Sequence, residues 1–388
     1  MSLLAGVRVL DLSRVMSGPY CTALLADLGA EVIKIETPGA GDDARRFGPF
    51  VGEASVYFAL LNRNKKSVTL NLKSTRAREI VAALAAKCDV VVENFRPGVA
   101  ARLEVDAARL CARNPRLVYL SISGFGQSGQ LAAWPAYDLI IQAMSGLMSI
   151  TGSPDGPPTA VGESIADVAT GLFGAWAVLA ALWQRERSGD GQVIDLAMLD
   201  AMLSMQLTGL ARYAAEGCAP PRVGNRHPVT TPVDVFSARD GHVAMVVPSD
   251  AQFRELCAIL GQPALADEAR YATNAARRAN EASLRALIES WTAARTVAEV
   301  VQACHARAIP AGPVWDLAQA WRSRPGPAVA HPAFGTLELA LQPAKFSAQA
   351  KVRAVREPAL GEHTASVLGE LLGLGATDVE TLRVEGVL

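Results

Sequence analysis

Residues 7–36 read VRVLDLSRVMSGPYCTALLADLGAEVIKIE. Two short strand-like segments rich in Val, Leu and Ile, 7–12 and 31–36, flank a Gly-Pro turn and a stretch, 20–28, whose apolar residues recur with helical spacing. A buried strand, a helix and a second buried strand in this order form a βαβ unit, which is the building block of parallel sheets. The segment therefore predicts an α/β fold with a parallel sheet.

The alternation of strands and helices continues beyond this unit. Strand-like runs cover residues 66–72, 89–93 and 117–123, and a helical apolar pattern covers 77–87. Residues 195–207 carry a further helical pattern. Successive βαβ units of this kind predict one parallel sheet with helices packed against it.

Length and composition predict two domains. A chain of 388 residues is too long for one ordinary hydrophobic core. A turn-rich segment, APPRVGNRHP, interrupts the chain and is followed by a second block of strands and helices. We predict a Rossmann-like large domain from 1–215 and 331–388, a smaller inserted α/β domain from 233–322, and linkers at 216–232 and 323–330.

Charge and targeting signals limit the function classes. With 37 basic and 38 acidic residues the formal net charge is −1, so no basic field indicates a nucleic-acid partner. The N-terminal residues lack a basic region followed by a long apolar core, and we expect no signal peptide. The longest apolar run, 168–183, is shorter than the ~20 residues that span a bilayer and contains two glycines. It predicts a buried helix and no membrane partner.

Cysteine and histidine usage gives no sign of a metal site. The six cysteines and five histidines are scattered, without the paired spacing that metal ligands need. Free thiols in a reducing compartment are the default for such a chain, so we expect a cytoplasmic protein.

Asp167 directly precedes that apolar run, which is an unusual position for a charged residue. Burying a carboxylate is costly unless donors or opposite charges meet it. The start of a helix supplies unpaired N–H groups and a positive dipole end, so one interpretation is a helix-capping aspartate. The other is a nucleophilic carboxylate, held in a dry pocket and directed at an acyl group.

Basic and aromatic residues follow two of the predicted strands. Phe95, Arg96 and Arg102 come after the strand at 89–93, and Lys73 follows another strand end. Residues past the carboxyl ends of parallel strands face the ligand crevice, where guanidinium groups can grip phosphates. Each residue alone is equally consistent with a solvated surface turn, but together they indicate a phosphate-bearing ligand.

Two motif-like patterns do not support the chemistry they resemble. Gly124, Gly126 and Gly129 match GxGxxG, but Pro135 soon interrupts the pattern and Asp138 comes too early for the acidic ribose partner. We therefore expect a flexible loop over an active site, with no nicotinamide or flavin. The chain also lacks the Gly-x-Ser-x-Gly elbow of serine hydrolases.

With these residues in view, the chain resembles the class III CoA-transferases over essentially its whole length. That family includes formyl-CoA transferase, carnitine CoA-transferase and succinyl-CoA:dicarboxylate transferases. The matching segments are GVRVLDLS (6–13), SGP (17–19), LGAEVIKIE (28–36), NRNKKS (62–67), ENFRPG (93–98), SGFGQ (123–127), DGPP (155–158), GDGQ (189–192), GNRHP (224–228) and LGEHT (360–364).

The resemblance implies an enzyme in which Asp167 carries the acyl group and then CoA as a thioester. Coenzyme A and its thioesters would be substrates, no prosthetic group is expected, and the family implies an intertwined homodimer. The family's CoA contacts map onto Met16, Ser17, Leu70, Asn71, Leu72, Lys73, Asn94, Phe95, Arg96, Arg102, Ala136, Tyr137 and Asp138.

This chain departs from the formyl-CoA transferase pattern in three places. Thr37 and Pro135 replace an arginine and a lysine that contact CoA there. The glycine-rich loop that shields that enzyme's site has no counterpart between residues 224 and 235. The two replacements remove CoA contacts of that enzyme, and the missing loop weakens the case for formate and oxalate as substrates.

Two other functions remain open. The same superfamily contains α-methylacyl-CoA racemases, which use a His-Asp pair where this chain has Tyr137 and Asp138. Racemisation needs an acid/base group on each face of the α-carbon, and a phenol is a poor substitute for imidazole. A non-catalytic CoA-binding protein is the second alternative, although the aspartate is intact.

The favoured activity is CoA transfer from succinyl-CoA to a short dicarboxylate such as mesaconate, itaconate, malate or glutarate. Asn225, Arg226 and His227 are candidates for holding the distal carboxylate of such an acid, because guanidinium and imidazole groups pair well with carboxylates.

Overall fold

The computed structural model describes residues 2–347 and 354–388 of the chain. Within them the chain forms strands β1 (Arg8–Asp11), β2 (Glu31–Glu36), β3 (Phe50–Val51), β4 (Ala54–Ser55), β5 (Lys65–Thr69), β6 (Val90–Glu93), β7 (Val118–Ser123), β8 (Val193–Ala197), β9 (Val233–Ala238), β10 (Gly241–Val246), β11 (Ala311–Pro313), β12 (Ala328–His331) and β13 (Gly335–Glu338).

The helices alternate with these strands. They are α1 (Ser17–Asp27), α2 (Val56–Asn62), α3 (Thr75–Ala85), α4 (Val99–Arg102), α5 (Ala107–Arg113), α6 (Asp138–Met144), α7 (Leu147–Ile150), α8 (Ile165–Ser188), α9 (Met198–Ser204), α10 (Leu207–Glu216), α11 (Asp250–Ile259), α12 (Asn274–Ala279), α13 (Glu281–Thr292), α14 (Val297–His305), α15 (Leu317–Ser323), α16 (Thr364–Leu372) and α17 (Ala376–Val384). Two 3-10 helices cover Asp43–Arg46 and Pro263–Asp267.

The chain divides into two compact units. Unit 1 consists of Met1–Leu147, Ala160–Ala211 and Gly326–Leu388, and unit 2 of Met148–Thr159 and Arg212–Pro325. The sequence placed 148–159 in the large domain and treated 216–232 as a linker, whereas both lie in unit 2. Hydrogen bonds between these two segments explain the difference. The Arg222 guanidinium donates to the Gly156 carbonyl over 2.7 Å, and the Gly224 N–H donates to Gly152 over 3.0 Å.

Unit 1 is built on a six-stranded sheet in the order β5-β2-β1-β6-β7-β8, with all five pairs parallel. Numbered within the sheet, this is the 3-2-1-4-5-6 order of doubly wound α/β proteins. Leu10 of the central β1 pairs with Ile33 and Val91, and all three are fully buried. The predicted parallel α/β fold is confirmed.

Two segments differ from their predicted structure. Residues 195–197, predicted as the start of a helix, belong to β8, which pairs with β7 at the edge of the sheet. The helix begins only at Met198. The Pro/Gly-rich segment after Arg324 contains β12, which forms a hairpin with β13. Neither strand is buried on both faces, so neither shows the continuous apolar run by which a central strand is recognised.

Unit 2 contains a three-stranded antiparallel sheet, β11-β10-β9, packed against helices. Its core includes Phe236, Met245 and Phe253, which are almost fully buried. The buried Arg277 guanidinium donates to the carbonyls of Thr231 and Tyr271 over 2.9 and 3.0 Å, which satisfies a charge that would otherwise destabilise the interior.

The 24-residue α8 is the longest described helix, and by length and composition it could cross a membrane. One face of it, including Ala169, Gly174 and Val178, is instead packed into the core of unit 1. Gly171 brings α8 close to α1, because a Cβ at that position would lie 2.7 Å from the Ser17 carbonyl oxygen. The first turn of α1 is thereby placed against the first turns of α8.

Gly171→Ala should destabilise the protein by roughly 1–3 kcal/mol, because the added methyl group overlaps the backbone of α1. Gly369→Ala is the matched control within α16, since a Cβ there meets only one atom, at an ordinary 3.5 Å. That substitution should stabilise by about 0.5–1 kcal/mol through helix propensity. Urea unfolding measures both, and a Gly171→Ala variant as stable as the wild type would contradict the close approach.

Candidate active site

Asp167 is in the first turn of α8, three residues after the helix N-cap Ser164. The free N–H groups of this helix start are met by another residue. Asp138 Oδ1 accepts from Ala166 N over 2.7 Å and from Asp167 N over 3.3 Å. The capping interpretation of Asp167 is therefore wrong, because Asp138 performs that task and leaves the Asp167 carboxylate available.

The surroundings of the Asp167 carboxylate make it more basic than an ordinary aspartate. Burial and the neighbouring negative charge of Asp138 raise the pKa of Asp167 to about 6, although hydrogen bonds from the Ser17 hydroxyl and N–H oppose the shift. At neutral pH the group is ionised while two donors orient it. A partly desolvated and ionised carboxylate of this kind suits a nucleophile.

Asp167 lies in a cleft of about 150 Å³, which we call the Asp167 cleft. The cleft is formed where β1, β6 and β7 end, because the carboxyl ends of parallel strands meet at one edge of the sheet. Its walls are Arg14, Val15, Met16, Ser17, Asp43, Asn94, Phe95, Arg96, Pro97, Ile122, Ser123, Gly124, Trp134, Ala136, Tyr137 and Met198.

A second cleft, of about 260 Å³, follows the ends of β2 and β5, and we call it the strand-end cleft. Arg14 and Phe95 line both clefts, and the Arg14 guanidinium lies 5.9 Å from the centre of the Phe95 ring. Thr37, Leu70, Asn71, Leu72 and Lys73 are among the other wall residues.

Most of the residues that the sequence proposed for CoA binding line these two clefts. Arg102 and Asp138 line neither of them, and Asp138 is turned toward the start of α8. The Asp167 cleft holds Met16, Ser17, Asn94, Phe95, Arg96, Ala136 and Tyr137, and the strand-end cleft holds Leu70, Asn71, Leu72 and Lys73 in addition to Phe95. Their contact with CoA stays a prediction.

Asn225, Arg226 and His227 belong to unit 2. There the Arg226 Nε lies 3.2 Å from the Glu281 carboxylate, so its charge already has an internal partner. The His227 N–H donates to the Val233 carbonyl over 2.9 Å. Their role in holding a substrate carboxylate stays a prediction.

Several site residues were missed by the sequence analysis. Arg14 and Trp134 line the Asp167 cleft, and Tyr57 lies close enough to interact electrostatically with Asp167. Burial first, and then the negative charge of Asp167, raise the pKa of Tyr57 to about 12. The apolar residues around Tyr57 indicate a packed helix, α2. Nothing in their spacing predicts that Tyr57 lies near Asp167.

The GxGxxG segment does not open a helix. After Gly129 the chain makes turns, and α6 begins only at Asp138. The loop is fastened by Asp195 of β8, whose Oδ2 accepts from Gln127 N over 2.9 Å, and by Ser123, whose Oγ accepts from Gly126 N. This geometry differs from a dinucleotide-binding turn, in which the glycines lead directly into a helix.

No group of three metal-ligating side chains occurs in residues 2–347 and 354–388. The six cysteines all fall within these residues and are free thiols.

Comparison with known proteins identifies the family of the chain and supports its fold. A family model described as CoA-transferase family III matches residues 4–364 of the chain. The chain belongs to CoA-transferase family III. It is a class III CoA-transferase, and the resemblance seen in its sequence motifs is confirmed.

Relatives of this family III enzyme support the assignment over its whole length. It is 40% identical to the succinate–glutarate CoA-transferase of Agrobacterium fabrum over 381 residues, 95% of each chain. It is 46% identical to the acetyl-CoA:oxalate CoA-transferase of Acetobacter aceti over 316 residues, 81% of each chain. The succinyl-CoA:mesaconate CoA-transferase of Haloarcula marismortui is 39% identical over an alignment of 407 positions, which covers 99% of each chain.

A solved structure supports the fold of the transferase. The crystal structure of a CAIB/BAIF family protein from Brucella suis matches it with a TM-score of 0.83 and 38% identity. The match covers 94% of this chain and 98% of that one.

Asp138→Asn should lower the pKa of Asp167 from about 6, because the substitution removes the like charge but keeps an oxygen for the N–H of Ala166. Carbon-13 NMR titration of aspartate-labelled protein measures this pKa, with Asp167→Asn to assign the signal. Asp43→Asn, in the wall of the same cleft, is the control and should leave the Asp167 titration unchanged. An unaltered Asp167 pKa in Asp138→Asn would show that Asp138 does not set it.

Proposed function

We propose that this class III CoA-transferase moves CoA from an acyl-CoA donor to a short carboxylic acid through a thioester on Asp167. The observation that carries the proposal is the Asp167 carboxylate itself. It is ionised at neutral pH, has a raised pKa, is held by two donors of Ser17, and lies in a cleft at the strand ends. A group in this position can attack a thioester and retain its activation.

The proposed reaction has two halves. The Asp167 carboxylate attacks the donor thioester carbonyl and expels CoA thiolate, which leaves a mixed anhydride. The thiolate then attacks the aspartyl carbonyl of the anhydride, releases the donor acid and forms an aspartyl-CoA thioester. The acceptor carboxylate attacks that thioester, and the same steps in reverse produce the new acyl-CoA. Overall, one thioester is exchanged for another of similar energy by way of a more reactive anhydride, so the site must exclude water and hold the thiolate near.

Oxyanions form in each of these steps and need donors. Backbone N–H groups fixed in a loop stabilise such charge well, because they do not reorganise during the reaction. The loop around Gly124 lines the Asp167 cleft and is held by the Ser123 and Asp195 side chains. We infer that this loop supplies donors to the reacting carbonyl.

CoA itself is assigned to the strand-end residues. Arg14, Arg96 and Lys73 offer positive charge beside the two clefts, and Phe95 offers an aromatic face between them. We infer that Arg14, which lines both clefts, compensates for the basic contacts absent at Thr37 and Pro135. A guanidinium group can donate two parallel hydrogen bonds to the oxygens of one phosphate, which suits Arg14 for this role.

We favour succinyl-CoA as donor and a short dicarboxylate as acceptor. Relatives named for succinate, glutarate and mesaconate support this choice, since these acids carry two carboxylates at similar spacing. The acetyl-CoA:oxalate relative, at 46% identity, keeps oxalate among the acceptors to be tested.

Asp167→Ala should abolish CoA exchange while leaving CoA binding and the melting temperature nearly unchanged. Incubation of the wild type with donor acyl-CoA and hydroxylamine should convert Asp167 to a hydroxamate, which peptide mass spectrometry detects. Glu380→Ala removes a solvent-exposed carboxylate of α17 that lines neither cleft and serves as the control, with exchange retained. Substantial turnover by Asp167→Ala would exclude this residue as the nucleophile.

The acids exchanged are identified by the same experiment with a panel of donors and acceptors. Succinyl-CoA with glutarate, mesaconate, itaconate, malate and oxalate tests the favoured class, and no exchange with any of them would overturn the substrate proposal. Deuterium entering a 2-methylacyl-CoA without an acceptor acid would indicate racemase chemistry. CoA binding without an adduct at Asp167 would indicate a non-catalytic protein.

We also infer a homodimer and a cytoplasmic location. Unit 1 exposes large apolar side chains along one face of α8, with Trp176 and Trp183 accessible over 67% and 69% of their surface. Neighbouring exposure of Leu172 on the same helix makes the face contiguous, and soluble proteins normally cover such a face. The free cysteines suit a reducing compartment.

Trp176→Glu should weaken the dimer, because a charge on this face opposes its burial. Light scattering on a dilution series should give twice the chain mass for the wild type and a lower mass for the variant. Val384→Glu, an isolated exposed apolar residue at the end of α17, is the control and should leave the mass unchanged. A wild-type mass equal to one chain at all concentrations would contradict the dimer.

A further inference from the structure

Val15 has an unusual backbone conformation for its residue type. Its φ of +66° places it in the left-handed region, which disfavours side chains branched at Cβ. Asn64, Glu104 and Ala308 also have positive φ, but none of them is branched at Cβ. Val15 lies in the loop from β1 to α1, two residues before Ser17, so its conformation directs the chain toward the Asp167 contact.

Two side chains hold the main chain around Val15. Asp42 Oδ1 accepts from the Val15 N–H over 3.0 Å and from the Ala44 N–H over 2.9 Å. Asn94 clamps the preceding residue, accepting from Arg14 N and donating to Arg14 O, each over 2.8 Å. Strained residues persist only where the surroundings determine them, and these contacts provide that constraint.

Asp42 is itself fixed by a fully buried lysine. The Lys34 Nζ lies 2.8 Å from Asp42 Oδ2 and donates to the Ser13 carbonyl over 2.9 Å. Burial works against the charge, but the carboxylates of Asp42, Asp11 and Glu36 outweigh it and raise the pKa of Lys34. One ammonium group therefore joins the start of the loop, at Ser13, to the residue that holds Val15.

The charges around Lys34 are paired. Lys65 Nζ donates to Asp11 Oδ2 over 3.0 Å, and Arg45 pairs with Glu36 through two hydrogen bonds. Buried ion pairs are rarely a net gain in stability over apolar side chains of similar volume. A buried pair beside a strained residue, in the loop that leads to the site, therefore points to a positioning role.

The strained loop ends at the two donors of Asp167. The hydroxyl and N–H of Ser17 meet the Asp167 carboxylate, and Asn94 Nδ2 lies 3.3 Å from Ser17 Oγ. A rotation at Val15 would move both donors together, since only Met16 separates the two residues.

We propose that Asp42, backed by Lys34, is a positioning residue that fixes Val15 in the left-handed conformation and so aims the Ser17 N–H and hydroxyl at Asp167. Its consequence for catalysis rests on the proposed function, in which Asp167 is the nucleophile. Its consequence for the pKa of Asp167 holds whether or not Asp167 is the nucleophile.

The test first removes the Lys34–Asp42 ion pair and then replaces Val15 by glycine, for which a positive φ is not strained. Lys34→Met/Asp42→Ala leaves no buried charge of this pair without its partner. We expect acylation of Asp167 by donor acyl-CoA to slow at least tenfold, with KM for acyl-CoA changed less than threefold. We also expect the pKa of Asp167 to rise above about 6, because the Ser17 donors that lower it are displaced. Asp42→Asn turns an amide NH2 group either toward the Lys34 ammonium or toward the N–H groups of Val15 and Ala44, so it should also slow acylation, by at least threefold.

Val15→Gly added to the double variant should raise its acylation rate at least threefold and lower the Asp167 pKa again. Glycine adopts a positive φ without needing the hydrogen bond to Asp42. Ala308→Gly in the same background relieves a positive φ in unit 2 and is the matched control, with no recovery expected. Should the double variant not fold, Lys34→Met/Asp42→Ser, which also leaves no unpaired charge of this pair and adds a hydroxyl at position 42, takes its place with the same expected outcomes.

The proposal is overturned if the folded double variant keeps both the Asp167 pKa and the acylation rate of the wild type. Recovery by Ala308→Gly equal to that by Val15→Gly would also overturn it, since the effect would then be one of general stability. If wild-type protein forms no adduct with any donor, the proposed function fails, and the NMR titration of Asp167 still decides whether Asp42 positions Ser17.

Discussion

The close approach of α8 to α1 at Gly171 is the constraint on which the candidate site depends. A Cβ there would overlap the Ser17 carbonyl oxygen and leave no room for the first turn of α1. Because the two helices meet without a side chain between them, the donors of Ser17 reach the carboxylate of Asp167 one turn earlier along α8. The helix packing and the nucleophile's hydrogen bonds are thus parts of one arrangement.

Four aspartates of unit 1 have distinct tasks that their residue type alone does not reveal. Asp138 satisfies the N–H groups at the start of α8, Asp195 holds the glycine-rich loop, and Asp42 holds Val15. Each of these accepts hydrogen bonds from main-chain N–H groups. Asp167 instead has a negative neighbour and a partly buried position, and it retains a basic carboxylate. The difference in partners separates the structural carboxylates from the chemical one.

The sheet could be predicted from the sequence because its central strands contain continuous apolar runs such as residues 90–92 of β6, buried on both faces. Edge strand β8 was misassigned because its exposed and half-buried residues merge with the helical pattern of α9. Tyr57 and Arg14 were missed for another reason. Nothing local distinguishes them, and they enter the site only because distant segments fold together.

The sequence by itself determined the parallel α/β class, the family and the prominence of Asp167, because apolar periodicity and motif spacing are local properties of the chain. Only the tertiary structure decided which carboxylate caps α8 and which one is left to react, since that depends on Asp138 reaching a helix start 28 residues away. It also decided that Val15 is held in a strained conformation by Asp42 and Lys34. The function of a charged or hydrogen-bonding side chain depends on which residues lie next to it in the folded protein, and residues far apart in the sequence become neighbours only through folding.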